Sequence, residues 1–429
     1  TNEQRVASGS NFYYDGVASS SPSVTQDADS TGVDGDYTWY KWTSTGAGSY
    51  VNASTQDHEW LVVAGGGAGG NAHSASYLGG GGGGAGGFRT GASLSLTGGN
   101  TYTPTVGLGG AAVSGDATTP GGNGGNSILS GTGITTVTST GGGGGGSRNA
   151  STGAPAQNGA SGGSGGGASY TATAGAGNTP SITPITGETT TIQGYSGGGS
   201  NSSGTSSGGG HGAVGTNTGA TAGAVGGVGT SNSITGSAVF YAGGGGSGSS
   251  DSDTTLAAGG NGGGGAGGNH LADNATVGTA NTGGGGGGSG GAYGTGGGGK
   301  DGGTGIVILR RPTNVDAPGG NLTLQSTDVT AGSAPTYGEF VTLIENAYGT
   351  ATLNTDIKGY ISRDSGTTFT QGTLVDEGTW GTNKKVLGFH DLDISSQPSG
   401  VAMCYKIETL NQSASSKETR IYATSIGWR

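Results

Sequence analysis

Runs of uninterrupted glycine are the feature that most restricts what this chain can fold into. The longest runs have six glycines and the shorter ones four; they lie at 79–84, 141–146, 283–288, 243–246, 262–265 and 296–299. Glycine loses more backbone freedom on folding than any other residue, so ordering six of them costs about 6–12 kcal/mol. These runs have no side chains to bury. They therefore become ordered only where their N–H and C=O groups find partners in neighbouring segments.

The composition excludes a large domain with a conventional apolar core. Glycine accounts for 107 of the 429 residues, and hydrophobic residues make up only 29%, where a globular domain has roughly 45–50%. Residues 65–305 hold 88 of the glycines and only nine charged residues. We therefore predict a bundle of polyglycine II helices, which have three residues per turn and pack closely because no Cβ atoms separate them. The segments between the runs then form loops at the two ends of the bundle.

Charge and cysteine content exclude several classes of partner. The formal net charge is −11, which disfavours binding to nucleic acid. No apolar run approaches the roughly 20 residues of a membrane span, so no membrane insertion is expected. Cys404 is the only cysteine, so no disulfide forms within the chain. A fold that is poor in apolar core then depends on oligomerisation unless the backbone itself forms the core, and we predict a homotrimer.

The predicted fold class is all-β plus a polyglycine II helix bundle and a C-terminal β-sandwich, with almost no α-helix, because no segment has helical apolar spacing. Two strand-like segments bracket the glycine-rich block, Glu59–Ala64 and Gly305–Arg310, and we expect them to pair. Segments 93–106 and 127–139 are predicted to be hairpins. The predicted divisions are an N-terminal extended or attachment segment at 1–36, a glycine-rich domain framed by strands at 37–310, a linker at 311–320 and a β-sandwich at 321–429.

The C-terminal stretch has an ordinary composition and alternates apolar and polar residues as strands do. Tyr405-Lys406-Ile407-Glu408 shows this alternation clearly. The predicted core residues of the sandwich are Leu324, Val341, Leu343, Ile361, Leu387, Tyr405, Ile407, Ile421 and Trp428.

Bulky side chains fall in or beside the segments between glycine runs. Loops on a rigid scaffold are where recognition residues concentrate, and tyrosine offers a large contact area at low entropic cost. Aromatic faces also stack well on sugars. The candidate receptor-contact residues are Tyr77, Phe88, Tyr170, Tyr195, Phe240, Tyr241, His270 and Tyr293. The alternative is that these rings cover the ends of the bundle.

Catalytic and metal-binding motifs are weak in this sequence. Matches to G-x-S-x-G and the P-loop-like Gly294–Asp301 follow from the abundance of glycine and lack the strand and helix that such sites need. We predict no catalytic residue, no enzyme activity and no cofactor. No pair of histidines has metal-ligand spacing. Asp391 and Asp393 lie on one side of a predicted strand and are the candidates for a cation site, with a solvated strand end as the alternative.

Several short segments of the sequence resemble those of a known family. The glycine-rich part of the chain resembles a domain common in bacteriophage tail fibres, especially of viruses that infect marine bacteria and cyanobacteria. The similar segments are Glu59–Gly70, Thr101–Gly110, Thr138–Gly146 and Gly302–Arg310. The C-terminal part resembles a domain that accompanies it in such fibres, through Ala351–Asp364, Thr373–Asp376 and Tyr405–Gln412. The resemblance spans about 37–429. A looser similarity links the glycine runs to the polyglycine tip adhesins of T-even-like phages.

This resemblance implies a virion surface protein, a tail fibre or tip, that is extracellular and binds the host cell. The implied partners are a host-cell surface glycan or outer-membrane protein and other virion proteins. The alternative is a structural capsid or tail decoration protein without receptor binding. A glycan depolymerase and an ice-binding protein are two further alternatives. The scarcity of acids in the glycine-rich block argues against the depolymerase, and the irregular loops argue against the ice-binding protein.

Overall fold

The computed structural model describes residues 13–14, 24–52, 55–72, 79–113, 119–148, 156–199, 204–218, 222–249, 254–271, 274–291, 298–312, 321–412 and 417–429. These residues form β-strands and irregular segments without an α-helix, which confirms the all-β prediction. The described part therefore contains no helix that is long and apolar enough to span a membrane. The chain divides into two compact units: Pro22–Asn314, the glycine-rich unit, and Thr1–Ser21 together with Val315–Arg429, the C-terminal unit.

The strands are numbered in chain order. The first fourteen are β1 (Tyr13–Tyr14), β2 (Thr25–Gln26), β3 (Ser30–Asp34), β4 (Tyr37–Trp42), β5 (Gly46–Ala47), β6 (Tyr50–Val51), β7 (Gln56–Val63), β8 (Phe88–Leu96), β9 (Thr101–Val106), β10 (Ser127–Gly131), β11 (Val137–Ser139), β12 (Thr230–Asn232), β13 (Val239–Tyr241) and β14 (Ile306–Pro312). The others are β15 (Leu322–Gln325), β16 (Val329–Thr330), β17 (Tyr337–Tyr348), β18 (Ile357–Ser362), β19 (Thr370–Gly372), β20 (Val375–Gly381), β21 (Lys384–Asp393), β22 (Ala402–Thr409) and β23 (Glu418–Trp428).

A five-stranded antiparallel sheet frames the glycine-rich unit, in the order β3-β4-β14-β7-β8. Its centre is the pairing of β7 with β14, in which Val63 lies opposite Ile306 and Trp60 opposite Leu309. The predicted pairing of the two framing strands is therefore confirmed. Both strands are rich in β-branched and other apolar residues, as strands buried on both faces usually are.

A second sheet, in the order β11-β10-β9-β6-β2 with β5 also paired to β9, packs on the first. The core between the two sheets includes Tyr50, Trp60, Tyr102 and Leu129. The predicted hairpin at 127–139 is confirmed by the pairing of β10 with β11. The hairpin predicted at 93–106 is wrong, because β8 joins the five-stranded sheet and β9 the second sheet. The turn between them therefore connects two layers rather than two paired strands.

Between the sheet strands, the glycine segments bond to one another through their backbones. Along residues 80–87, every third N–H donates to the same neighbouring segment, at 2.8–3.1 Å. The three series of bonds run to 283–289, to 140–146 and to 206–209. A period of three, with successive residues bonded to different neighbours, is what helices with three residues per turn produce. We call this array the glycine lattice.

The carbonyl groups of the same tract accept bonds from three further segments. These segments are 64–70, 164–167 and 245–248. The tract therefore has six bonded neighbours among the described residues. A Cβ atom added at Gly83 would overlap the carbonyl oxygen of Gly67. Only glycine fits here because the neighbouring backbones approach so closely.

The glycine lattice has two ends. At the sheet end, Ala64 N–H donates to Gly87 and Gly87 N–H donates to Thr140, next to the strands that follow or precede them. At the far end, Arg148 N–H donates to the carbonyl of Asn71 at 3.1 Å. About seven residues at ~3.1 Å each separate the ends along one tract, or roughly 20 Å.

The C-terminal unit is a sandwich of two sheets. One has the order β1-β15-β22-β18-β19 with β16 paired to β22, and the other the order β20-β21-β17-β23. Residues of both sheets share a single core, and of those predicted, Ile361, Leu387, Tyr405 and Ile407 are buried in it.

The other predicted core residues have two different outcomes. The partly buried rim of the core contains Leu324, Ile421 and Trp428. The prediction that Val341 and Leu343 belong to the core is wrong, because both are only partly buried. Phe340 and Ile344 fill the core instead. The segment Phe-Val-Thr-Leu-Ile is apolar in both phases of the alternation, so the pattern could not select the inward face.

Candidate functional site

The candidate contact residues do not form one surface. Tyr170 and His270 lie at the far end, since Ser169 Oγ donates to Gly79 and His270 Nδ1 lies 3.0 Å from the carbonyl of Gly291. The sheet end holds the candidates Phe88, Tyr195, Phe240 and Tyr241. Tyr77 and Tyr293 lie outside the described residues. The far end and the sheet end are therefore separate candidate surfaces.

Phe88 and Tyr241 are buried and offer no ring to a partner. Both belong to the core on the lattice side of the five-stranded sheet, with Leu61 and Ile308. The Phe88 ring lies 4.5 Å from that of His211. Burial raises the pKa of Tyr241. The prediction that these two residues contact a receptor is therefore wrong, because both lie in strands whose inner face closes the sheet end of the lattice.

Tyr195 and Phe240 are the candidates at the sheet end that remain accessible, at 39% and 42% exposure. Phe240 alternates with Tyr241 in β13, so the two rings lie on opposite faces of the hairpin. Tyr195 is held by its backbone, which donates to Gly210 at 3.0 Å. These two side chains fit either a contact role or a simple solvated position.

At the far end, Tyr170 lies beneath an arginine. The guanidinium carbon of Arg148 is 3.7 Å from the centre of the Tyr170 ring, and both residues are partly exposed. Nε and Nη1 of Arg148 are buried, and neither donates a hydrogen bond to a described residue. Tyr170 has a φ of 50°, a left-handed conformation that is uncommon outside glycine. Arg148 was not among the residues predicted from the sequence. The one feature that sets it apart there is that it is one of nine charged residues in 65–305.

Asp391 and Asp393 are engaged with separate partners. Asp391 accepts a bond from Arg429 Nη2 at 2.7 Å and has a φ of 53°. Hydrogen bonds from Ser395 hold the pKa of Asp393 below its usual value. The pairing of β17 with β21 is irregular beside them, yet both residues are exposed and line the same surface depression as His390. The described residues contain no group of three or more potential metal ligands.

The four-stranded sheet of the C-terminal unit carries a second group of aromatic residues that sequence reasoning missed. Trp380 and Tyr422 lie with ring centres 5.1 Å apart, and the Lys384 ammonium lies 4.6 Å from the first and 4.8 Å from the second. Tyr422 also donates to Glu345. Trp380 is 38% and Tyr422 50% exposed. Each ring therefore already has partners within the unit.

Together, the framing sheets and the glycine lattice define a unit in which hydrogen-bonded backbone forms much of the interior. Residues 43–312 match the model of the glycine-rich domain family. This span includes the lattice and ends in β14, and the chain belongs to that family. Neither the curated proteins nor the solved structures gave a match.

Proposed function

We propose that this chain is a virion surface protein, a tail fibre or tip, that binds a host-cell surface glycan or outer-membrane protein. The observation that carries the proposal is the convergence of tract ends at the far end of the lattice. Residues that flank different connections lie side by side there: Ala72 N–H donates to Ser289 Oγ at 2.7 Å, and Gly291 N–H to Ser249 at 3.0 Å. A hydrogen-bonded scaffold that brings several tract ends together in this way suits recognition.

Two further arguments support the proposal. The sequence resembles phage tail fibres in both units, and its glycine-rich part belongs to the glycine-rich domain family. A fibre places several copies close together, and binding that is weak at one site then becomes strong overall. The proposed partners are therefore the receptor, other virion proteins and further copies of this chain in a homotrimer.

Cell binding by the purified full chain tests this function. We expect the labelled protein to bind saturably to particular strains in a panel of marine bacteria and cyanobacteria. Leu271, at the far end, is 72% exposed, and Val33, in β3, is 67% exposed. Leu271→Asp is expected to weaken cell binding without lowering the melting temperature, and Val33→Asp, the matched control, to leave both unchanged.

Other results would change the conclusion. Binding to no strain would favour a capsid or tail decoration protein. Loss of binding in Val33→Asp alone would move the receptor surface to the sheet end. Release of oligosaccharide from cells would contradict the prediction that the chain is not an enzyme.

A further inference from the structure

Arg148 at the far end is a cation for which the described residues supply no counter-ion. Its Nε and Nη1 are buried, and no described residue accepts a hydrogen bond from either. The described residues place no carboxylate within ion-pairing distance of it, whereas Arg89 in the same unit is paired with Glu188 at 2.6 Å. A buried N–H of a charged group costs free energy when no acceptor meets it. Among the described residues, Arg148 is the one side chain with two such nitrogens, and an unsatisfied buried group of this kind indicates a water or an ion at that position.

Another arginine shows what Arg148 lacks. Arg429 also lies over a tyrosine, with its guanidinium carbon 4.7 Å from the centre of the Tyr337 ring. There, Asp391 accepts a bond from the guanidinium at 2.7 Å. The stack of arginine on tyrosine is therefore shared, and the missing element at Arg148 is the carboxylate.

We propose that Arg148, held by Tyr170, binds an oxyanion at the far end, and that this oxyanion is the carboxylate of an acidic surface polysaccharide. A guanidinium holds a carboxylate through two parallel bonds along its side edge, which includes Nε, or its end edge, which includes Nη1. Each edge of Arg148 thus contains one unpartnered nitrogen. Both residues are partly exposed, so the carboxylate approaches from solvent, and its binding requires the groups that cover Nε and Nη1 to move aside. The inference rests on the proposed function, since it names the chemistry of that receptor.

A polymer is a better source of this carboxylate than a free anion. A polysaccharide presents many carboxylates to several copies of the protein, and the linked binding events reinforce one another. Tyr170, whose ring lies below the guanidinium, has a left-handed backbone conformation of the kind that is also found at ligand sites.

Titration of the purified full chain with defined probes tests the site. The probes are oligogalacturonate, a neutral maltooligosaccharide and inorganic phosphate, with binding followed by calorimetry. We expect oligogalacturonate alone to bind saturably. Arg148→Met is expected to weaken that binding at least tenfold. Arg148→Lys is expected to weaken it less, because a lysine keeps the positive charge although it gives no paired donors. Arg429→Met is the matched control and is expected to bind as the wild type does.

Each other result overturns the site or its assignment. Unchanged binding in Arg148→Met, at an unchanged melting temperature, excludes the site, and so does the absence of binding by any probe. Equal binding of phosphate assigns it to free anions, and equal binding of the neutral sugar excludes recognition of charge. If oligogalacturonate binds but no cell does, the site stands and the proposed function fails. If both Arg148→Met and Arg148→Lys bind to cells as well as the wild type does, the function stands and the site fails.

Discussion

Arg89 and Glu188 form a two-bond ion pair in the interior of the glycine-rich unit. Arg89 Nε donates to Oε1 of Glu188 at 2.8 Å, and Nη2 donates to Oε2 at 2.6 Å. The two side chains are 6% and 0% exposed. Burial acts to raise the pKa of Glu188, but hydrogen bonds from Arg89 and Thr190 hold it below its usual value. Both residues are therefore charged, and their ion pair connects the irregular segment around Glu188 to strand β8.

Removal of one partner is expected to be more harmful than removal of both. Arg89→Met leaves a buried carboxylate alone, and we expect the free energy of unfolding to fall by about 3–5 kcal/mol. The double variant Arg89→Met/Glu188→Leu should recover much of this loss, since no charge stays buried. Denaturant unfolding of the three proteins measures the effect. Equal stability of the single variant and the wild type would show that the pair is hydrated.

The lattice itself is tested by adding single methyl groups. At Gly285, a Cβ atom would overlap the backbone carbonyl of Gly83, whereas at the exposed Gly199 it would meet no atom within 4 Å. Gly285→Ala is therefore expected to lower the free energy of unfolding by roughly 1–3 kcal/mol. Gly199→Ala, the matched control, is expected to be neutral or slightly stabilising, because alanine restricts the unfolded chain. Similar melting temperatures for both variants would mean that the tracts are not closely packed.

Much of the architecture follows from the sequence by physical argument. The framing strands are predictable because two β-branched segments bracket a block that has few apolar residues. Backbone bonding between glycine runs is predictable because six ordered glycines have no other source of stabilisation. Which segments become neighbours is not predictable. Runs such as 79–84 and 283–288 are identical, and one sequence gives no signal for their pairing.

The candidate site was harder to predict, for two reasons. Burial of an aromatic residue beside a glycine run depends on whether a strand begins there, as β8 does at Phe88, and the short β12 and β13 gave little apolar pattern. The surroundings of Arg148 depend on neighbours that are distant in sequence, such as Tyr170 and Asn71. Residue type alone therefore identified aromatic candidates but not the cation among them.

His58 is expected to make stability depend on pH. Its ring is fully buried, and Nε2 lies 2.9 Å from the hydroxyl of Tyr50. Burial lowers the pKa of His58 from 6.5 to about 4. Between these values the unfolded chain binds the proton and the folded chain does not. The contribution of His58 is therefore complete above pH 6.5 and is lost as the pH falls towards 4, by about 3 kcal/mol in total.

A comparison of variants isolates this effect from that of the carboxylates. Urea unfolding at a series of pH values should give a smaller slope between pH 4 and 6.5 for His58→Gln than for the wild type. Parallel curves for the wild type and His58→Gln would place the titration on other groups.

Asparagine side chains replace backbone carbonyls at one side of the tract 141–146. Asn126 Oδ1 accepts from Gly141 N–H and Asn123 Oδ1 from Gly144 N–H, both at 2.9 Å. The spacing of three residues on each segment repeats the period of the lattice. Asn123→Ala leaves the amide of Gly144 without its acceptor, and we expect the stability to fall by about 1 kcal/mol.

Amide hydrogen exchange localises the change caused by Asn123→Ala. Exchange at Gly144 should become faster, while exchange at Gly143, which donates to the carbonyl of Ser164 at 2.9 Å, should change only as much as global stability does. Asn123→Asp keeps an acceptor oxygen and should protect Gly144 as the wild type does. The exposed Asn261 gives the matched control, since Asn261→Ala should alter neither amide. Faster exchange along the whole tract in Asn123→Ala would instead show that the tracts open together, as one cooperative unit.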